Sequence, residues 1–111
     1  NGFKNRAMLY LMAGQYQQSI RDYLSHLSIT PDRDGEIWYK VGYSYQQMGQ
    51  HAKAIDAFTQ ALRCREKGHF YAARALSLVY AGNLQSARTD ASKAASLGAE
   101  VDQLVVSALS K

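Results

Sequence analysis

The sequence predicts an all-α protein made of three stacked helix-turn-helix units and a C-terminal capping helix. Three observations carry that prediction. AGQYQQSI at 13–20, MGQHAKAI at 48–55 and AGNLQSAR at 81–88 superpose on Gly14, Gly49 and Gly82, which lie 35 and 33 residues apart. Self-similarity at a nearly fixed period marks an array in which each unit buries its apolar face against the next. Between the glycines, apolar residues recur with the spacing of one helix face. With 47% hydrophobic and 20% charged residues, 111 residues suffice for one small domain and carry no disordered signature. The chain therefore reads as a single domain over 1–111, with repeats at about 1–34, 35–67 and 68–100 and a cap at 101–110.

Each element follows from local chemistry. Helices are expected at about 3–13, 16–29, 36–48, 51–64, 69–81, 84–97 and 101–110. Gly14, Gly49 and Gly82 end the first helix of each unit, because a left-handed residue there costs glycine least. Thr30-Pro31-Asp32-Arg33-Asp34-Gly35 breaks the chain between units one and two. Relative to the turn glycine, repeat one has Ser19, Tyr23, His26 and Pro31 where repeat two has Ala54, Phe58, Ala61 and Glu66. Repeat three has Ala87, Ala91, Ala94 and Ala99 there and so lacks the large second-helix aromatic. Val101, Leu104, Val105, Ala108 and Leu109 form an amphipathic stripe suited to closing the stack, with Val106 off it. Asn1 stands where a Met would begin a natural chain, which reads as an excised fragment lacking flanking segments.

The stretch WYKVGYSYQQMGQHAKAIDAFTQA, residues 38–61, has the clearest steric logic. Gly42 and Ala54 let two helix backbones approach, while Trp38, Tyr45 and Phe58 fill the space beside them. It resembles the tetratricopeptide repeat (TPR), a 34-residue unit with the signature W-x2-L-G-x2-Y, then A, F, A and P. With Gly35 first, Trp38, Val41, Gly42, Tyr45, Gly49, Ala54, Phe58 and Ala61 fall on the signature's places, and Glu66 replaces the proline.

The resemblance implies a right-handed superhelix whose first helices line a concave peptide-binding groove. Carried over by frame, the groove positions are Asn1, Lys4, Met8 and Leu11; Glu36, Tyr39, Tyr43 and Gln46; and His69, Ala72, Leu76 and Val79. One subset of the family grips the C-terminal carboxylates of heat-shock proteins with Lys and Asn side chains and further cations. Only Lys4 fits that pattern here: Met8 and Tyr43 replace asparagines, and Ala72 and Leu76 replace cations, so no bidentate clamp forms. The remaining floor of Met, Leu, Val, Ala and Tyr suits an extended apolar segment, since tyrosines give large contact area and methionine adapts its shape. Leu11 and Val79 could instead pack between helices. GYSYQQMGQHAKAIDAFTQAL and YAGNLQSARTDASKAASL also resemble the translocator chaperones of bacterial type III secretion, which hold a membrane-inserting protein soluble in the cytoplasm. Those chaperones tend to be acidic and this chain is basic, and their N-terminal dimerisation helix is not present; a homodimer stays compatible with the sequence.

No sequence signature of catalysis, a metal site or a cofactor is found: there is no phosphate loop, HExxH, paired-cysteine spacing or nucleophile elbow. His51 opens a second helix as a packing residue, and His26 sits at a tight place where it distorts the contact or turns to the edge. Cys64, in frame with Ile29 and Leu97, reads as a core thiol that Arg63 and Arg65 would ionise if it were exposed. A lone cysteine excludes an internal disulfide and fits a reducing, cytoplasmic compartment. No apolar run is long enough to span a membrane. The net charge of +4 is concentrated in residues 51–93, with Arg63, Arg65, Lys67 and Arg74 forming a basic cluster. The expected function is a non-catalytic module binding an apolar peptide segment of another protein. The alternatives are a scaffold fragment of a secretion or pilus assembly and, less favoured, an RNA-binding repeat using the basic cluster.

Overall fold

The structure, a computed structural model, describes residues 2–110. Its helices are α1 (Gly2–Met12), α2 (Tyr16–Ile29), α3 (Glu36–Gln47), α4 (His51–Cys64), α5 (Gly68–Tyr80), α6 (Leu84–Ser96) and α7 (Gln103–Leu109). α1 packs on α2, α3 on α4 and α5 on α6, and the three hairpins stack through α2–α3 and α4–α5 into a body of 45 × 24 × 19 Å. None of these helices is long and apolar enough to cross a membrane.

The hairpin turns are alike because their glycines are. Gly14, Gly49 and Gly82 have φ of 75°, 76° and 81°, the left-handed conformation that ends a helix at little cost. At the break before α3, Asp32 supplies a cap: its carboxylate accepts hydrogen bonds from Gly35 N at 3.2 Å and Trp38 N at 2.9 Å. Gly35 has no alternative there, since φ is 85° and a Cβ would stand 2.5 Å from the carbonyl oxygen of Ala61.

Within the central hairpin a Cβ on Gly42 would lie 2.6 Å from the ring of Phe58, which is fully buried. The frame-related Ala7 and Ala75 are buried too. Eight residues before and after each turn glycine the repeats diverge. Arg6 and Asp22 form a two-pronged ion pair in repeat one, with Nε–Oδ2 at 2.7 Å and Nη2–Oδ1 at 2.9 Å. Arg74 and Asp90 repeat that geometry in repeat three, at 2.7 and 2.9 Å. Repeat two replaces both partners with Val41 and Ala57, which join the core cluster of Ala7, Ile20, Tyr23 and Ile37. Ion pair and apolar contact thus alternate at one structural position.

Two expectations about α7 are corrected, and the two alternatives for His26 are narrowed to one. α7 begins at Gln103, not 101, because Asp102 adopts an extended backbone and its Oδ1 accepts the amide of Leu104 at 2.8 Å. Leu104 is 42% exposed although it was expected on the buried stripe. The helix sits against both α5 and α6 with Val105 fully buried, and its immediate neighbour points about 100° away around the helix. His26 is buried and not turned to the edge.

Candidate functional site

Tyr39, Tyr43, Gln46, Ala72 and Leu76 line one open concavity of about 540 Å³ between α3 and α5. The segment Glu100–Gln103, leading into α7, forms its far wall, with Ala73 and His69 completing the lining. Five of the nine predicted groove residues are therefore brought together.

The other four lie elsewhere. Met8 is half-buried and accepts a weak hydrogen bond from the Tyr23 hydroxyl, with O–S at 3.8 Å. Leu11 packs against the core cluster, as the inter-helix reading of its position allows. Val79 is half-buried and does not line the concavity. Lys4 borders a separate polar hollow with Asp32, Asp34, Glu36 and Lys40. Asn1, also a groove position by frame, lies outside the described residues.

Aromatic packing fixes the floor. Tyr39 stacks on Phe70 at a centroid distance of 5.4 Å, leans on Phe58 at 5.8 Å and meets the edge of His69 at 4.9 Å. Burial, and after it the charge of Glu36, raises the Tyr39 hydroxyl above its ordinary pKa, so it is a neutral donor at pH 7. Tyr43 is 37% exposed and meets the Tyr16 ring edge-on at 6.4 Å. Tyr39 is thus a wall held by three rings, and Tyr43 is the accessible tyrosine. Gln46 donates from Nε2 to Ala73 O and Ser77 Oγ, both at 2.9 Å, and His51 Nδ1 lies 3.0 Å from the same Ser77 oxygen while its ring stacks on Tyr80. His51 is a packing residue between hairpins, and those bonds hold α3 and α5 at a set distance.

Glu36, a groove position by frame, is engaged: Lys67 Nζ lies 2.8 Å and His69 Nε2 3.1 Å from its carboxylate. Partial burial pushes the Glu36 carboxyl up, but the bonds from Lys67 and His69 hold it below its ordinary value.

The predicted basic cluster divides. Arg63 and Arg65 are exposed, Lys67 is paired with Glu36, and Arg74 is clamped to Asp90 with a further bond to Thr59 Oγ1 at 3.1 Å. Beneath Arg74, the Tyr71 hydroxyl donates to Glu66, the residue in the signature's proline place, and that bond pushes the phenol up to about 12. Cys64 is half-buried, whereas Ile29 and Leu97 in the same frame are 67% and 53% exposed. Burial, then Asp32 and Asp34, raises the Cys64 thiol, which favours the neutral thiol over the thiolate that Arg63 and Arg65 would promote at an exposed position. Among the described residues, no group of His, Cys, Asp and Glu is placed to hold a metal ion.

Sequence reasoning missed Glu100 and Asp102 at the groove and both Arg–Asp pairs. The pairs carried a signal: Arg and Asp stand sixteen residues apart at the same offsets from the turn glycine in two repeats.

A family model described as "Tetratricopeptide repeat" matches residues 2–67. No curated protein matches the chain by sequence. Among solved structures, the Yersinia enterocolitica type III secretion chaperone SycD, in complex with a peptide of the translocator YopD, superposes with a TM-score of 0.84 at 20% identity, covering 98% of this chain and 88% of that one. The second TPR domain of human RPAP3, in complex with an HSP70 peptide, gives 0.84 at 19% identity over 97% and 89% of the two chains. MamA from AMB-1 gives 0.80 at 22% identity and covers 86% of this chain, which spans only 56% of MamA's length. At these identities the likeness is one of fold.

Proposed function

The chain belongs to the tetratricopeptide repeat family, and from that premise we propose that its concave face is a non-catalytic site for an extended, largely apolar segment of a partner protein. The observation that carries this reading is the concavity of about 540 Å³ in which an accessible Tyr43 and Leu76 lie beside Tyr39. Apolar side chains of an extended strand enter between these residues, and the tyrosine hydroxyls serve its backbone carbonyls. Two proteins of the same fold, SycD and the RPAP3 domain, were solved holding peptides, which supports the use of the face if not the choice of ligand. In its specific form the proposal is a chaperone that shields a short apolar motif of a secreted protein. The RNA-binding alternative is weakened because Lys67 and Arg74 spend their charge on Glu36 and Asp90.

Calorimetric titration with extended apolar, acidic and basic peptides tests the reading. Apolar peptides should bind at roughly micromolar strength, and Tyr43→Ala, which removes no core contact, should weaken them at least tenfold with helicity retained. Equal binding by wild type and Tyr43→Ala, or no binding by any peptide, refutes it.

A further inference from the structure

The groove's charge is opposite to that of the whole chain. The protein carries +4, yet the lining of the concavity contains no Lys or Arg and includes Glu100 and Asp102 on its far wall. Both acids are exposed. Asp102 uses Oδ1 to cap α7, and Glu100 makes no ion pair or hydrogen bond among the described residues. Facing them, Ala72, Ala73 and Leu76 leave a short apolar ramp from the tyrosines to the two carboxylates. The carboxylate-gripping pattern of the family would put cations at Ala72 and Leu76, so here the arrangement is inverted: the protein supplies the acids and the ligand must supply the cation.

Resting on the groove reading above, we infer that the occupant is an extended segment carrying a Lys or Arg next to its apolar anchor. The aliphatic stem lies along Ala72 and Leu76 while the charged head reaches Glu100 and Asp102. A long cationic side chain matches such a site because its stem is apolar and only its end seeks charge. Tyr43 and Leu76 supply the contact area, and the two carboxylates select among apolar segments.

Fluorescence anisotropy with three labelled peptides decides this. They share one extended Leu-containing sequence and differ at a central position, which is Lys, norleucine or Glu. Wild type should bind the Lys peptide about two to five times more tightly than the norleucine peptide, the scale of an exposed ion pair. The Glu peptide should bind weakest. Glu100→Gln with Asp102→Asn, which keeps a side-chain cap on α7, should erase the Lys preference, so that the Lys and norleucine peptides bind the variant equally. Raising salt should narrow the Lys–norleucine gap without affecting norleucine binding. Equal binding of the Lys and norleucine peptides overturns the inference and leaves the apolar groove standing, as does a preference that survives the double substitution. If none of the three binds, the groove reading falls and this inference with it.

Discussion

Removing the carboxylate of Asp90 should cost far more than removing that of Asp22, although the two ion pairs have the same bond lengths. The Arg74 side chain is 22% exposed and that of Asp90 5%, whereas Arg6 is 58% exposed. Asp90→Ala leaves a largely enclosed guanidinium without its anion. Loss of one partner of a fully buried pair costs about 3–5 kcal/mol. Arg74 keeps its bond to Thr59 Oγ1 and some solvent, which brings the expected loss to about 2–3 kcal/mol. For a domain of this size that lowers the thermal midpoint by roughly 10 °C. Arg6 can turn into water when Asp22→Ala removes its partner, so that change should lower the midpoint much less. Repeat two shows the remedy, since Val41 and Ala57 fill the same place with an apolar contact. Arg74→Met combined with Asp90→Ala should recover to within about 1 kcal/mol of wild type. Thr59 tolerates the change because its hydroxyl also donates to Ile55 O at 2.8 Å. The assay is thermal and urea unfolding followed by circular dichroism at 222 nm. Equal losses from Asp90→Ala and Asp22→Ala, or a double variant less stable than Asp90→Ala alone, would refute the reasoning.

Further expectations concern the turns, the acids and the thiol. Gly42→Ala should destabilise by about 1–3 kcal/mol by over-packing, because the new methyl meets the Phe58 ring at 2.6 Å. Gly49→Ala, with open space but φ of 76°, should cost only about 1 kcal/mol in the same unfolding assay. The bond and charge of Arg6 hold the Asp22 carboxyl below its ordinary value of 3.8. Because the folded-state value is the lower one, that contribution is present in full above the unfolded value and is lost as pH falls below it. The unfolding midpoint should therefore drop below about pH 4, less steeply in Asp22→Asn, and a parallel pH profile for the two proteins would contradict this. Cys64 should react with a disulfide reagent at pH 8 more slowly than a free thiol, since its thiol is raised; a rate at or above that of glutathione would count against the assignment.

Much of the fold was legible because its determinants are local. A glycine in a left-handed turn and a small residue at Ala7, Gly42 and Ala75 recur at a fixed offset, and both are visible without coordinates. Helix ends set by side chains were harder. α7 starts two residues later than its apolar pattern because a single aspartate cap outweighs Val101, and Leu104 then rotates out of the contact. The groove was half legible. Frame positions located Tyr39, Tyr43, Gln46, Ala72 and Leu76, since a first-helix face is shared by every repeat. Position alone could not separate the half-buried Tyr39 from the accessible Tyr43, a difference to which Phe70 and His69, residues of the next repeat, contribute. Glu100 and Asp102 escaped notice because they reach the groove through the path of a connecting segment, which no helical periodicity encodes. The basic cluster divides for a related reason: Asp90 and Glu36, distant in sequence from Arg74 and Lys67, pair with them across helix contacts, while Arg63 and Arg65 stay exposed.

The central claim is that the α3–α5 concavity takes an extended apolar segment. Its most direct test is a nuclear magnetic resonance titration of labelled protein with an unlabelled extended Leu-containing peptide. The account predicts saturable shifts in the ring signals of Tyr43 and the methyl signals of Leu76, together with the amides of Glu100–Gln103, and little change at Arg63 and Arg65. Shifts confined to the Arg63–Arg65 surface, or none at peptide concentrations well above micromolar, would contradict it.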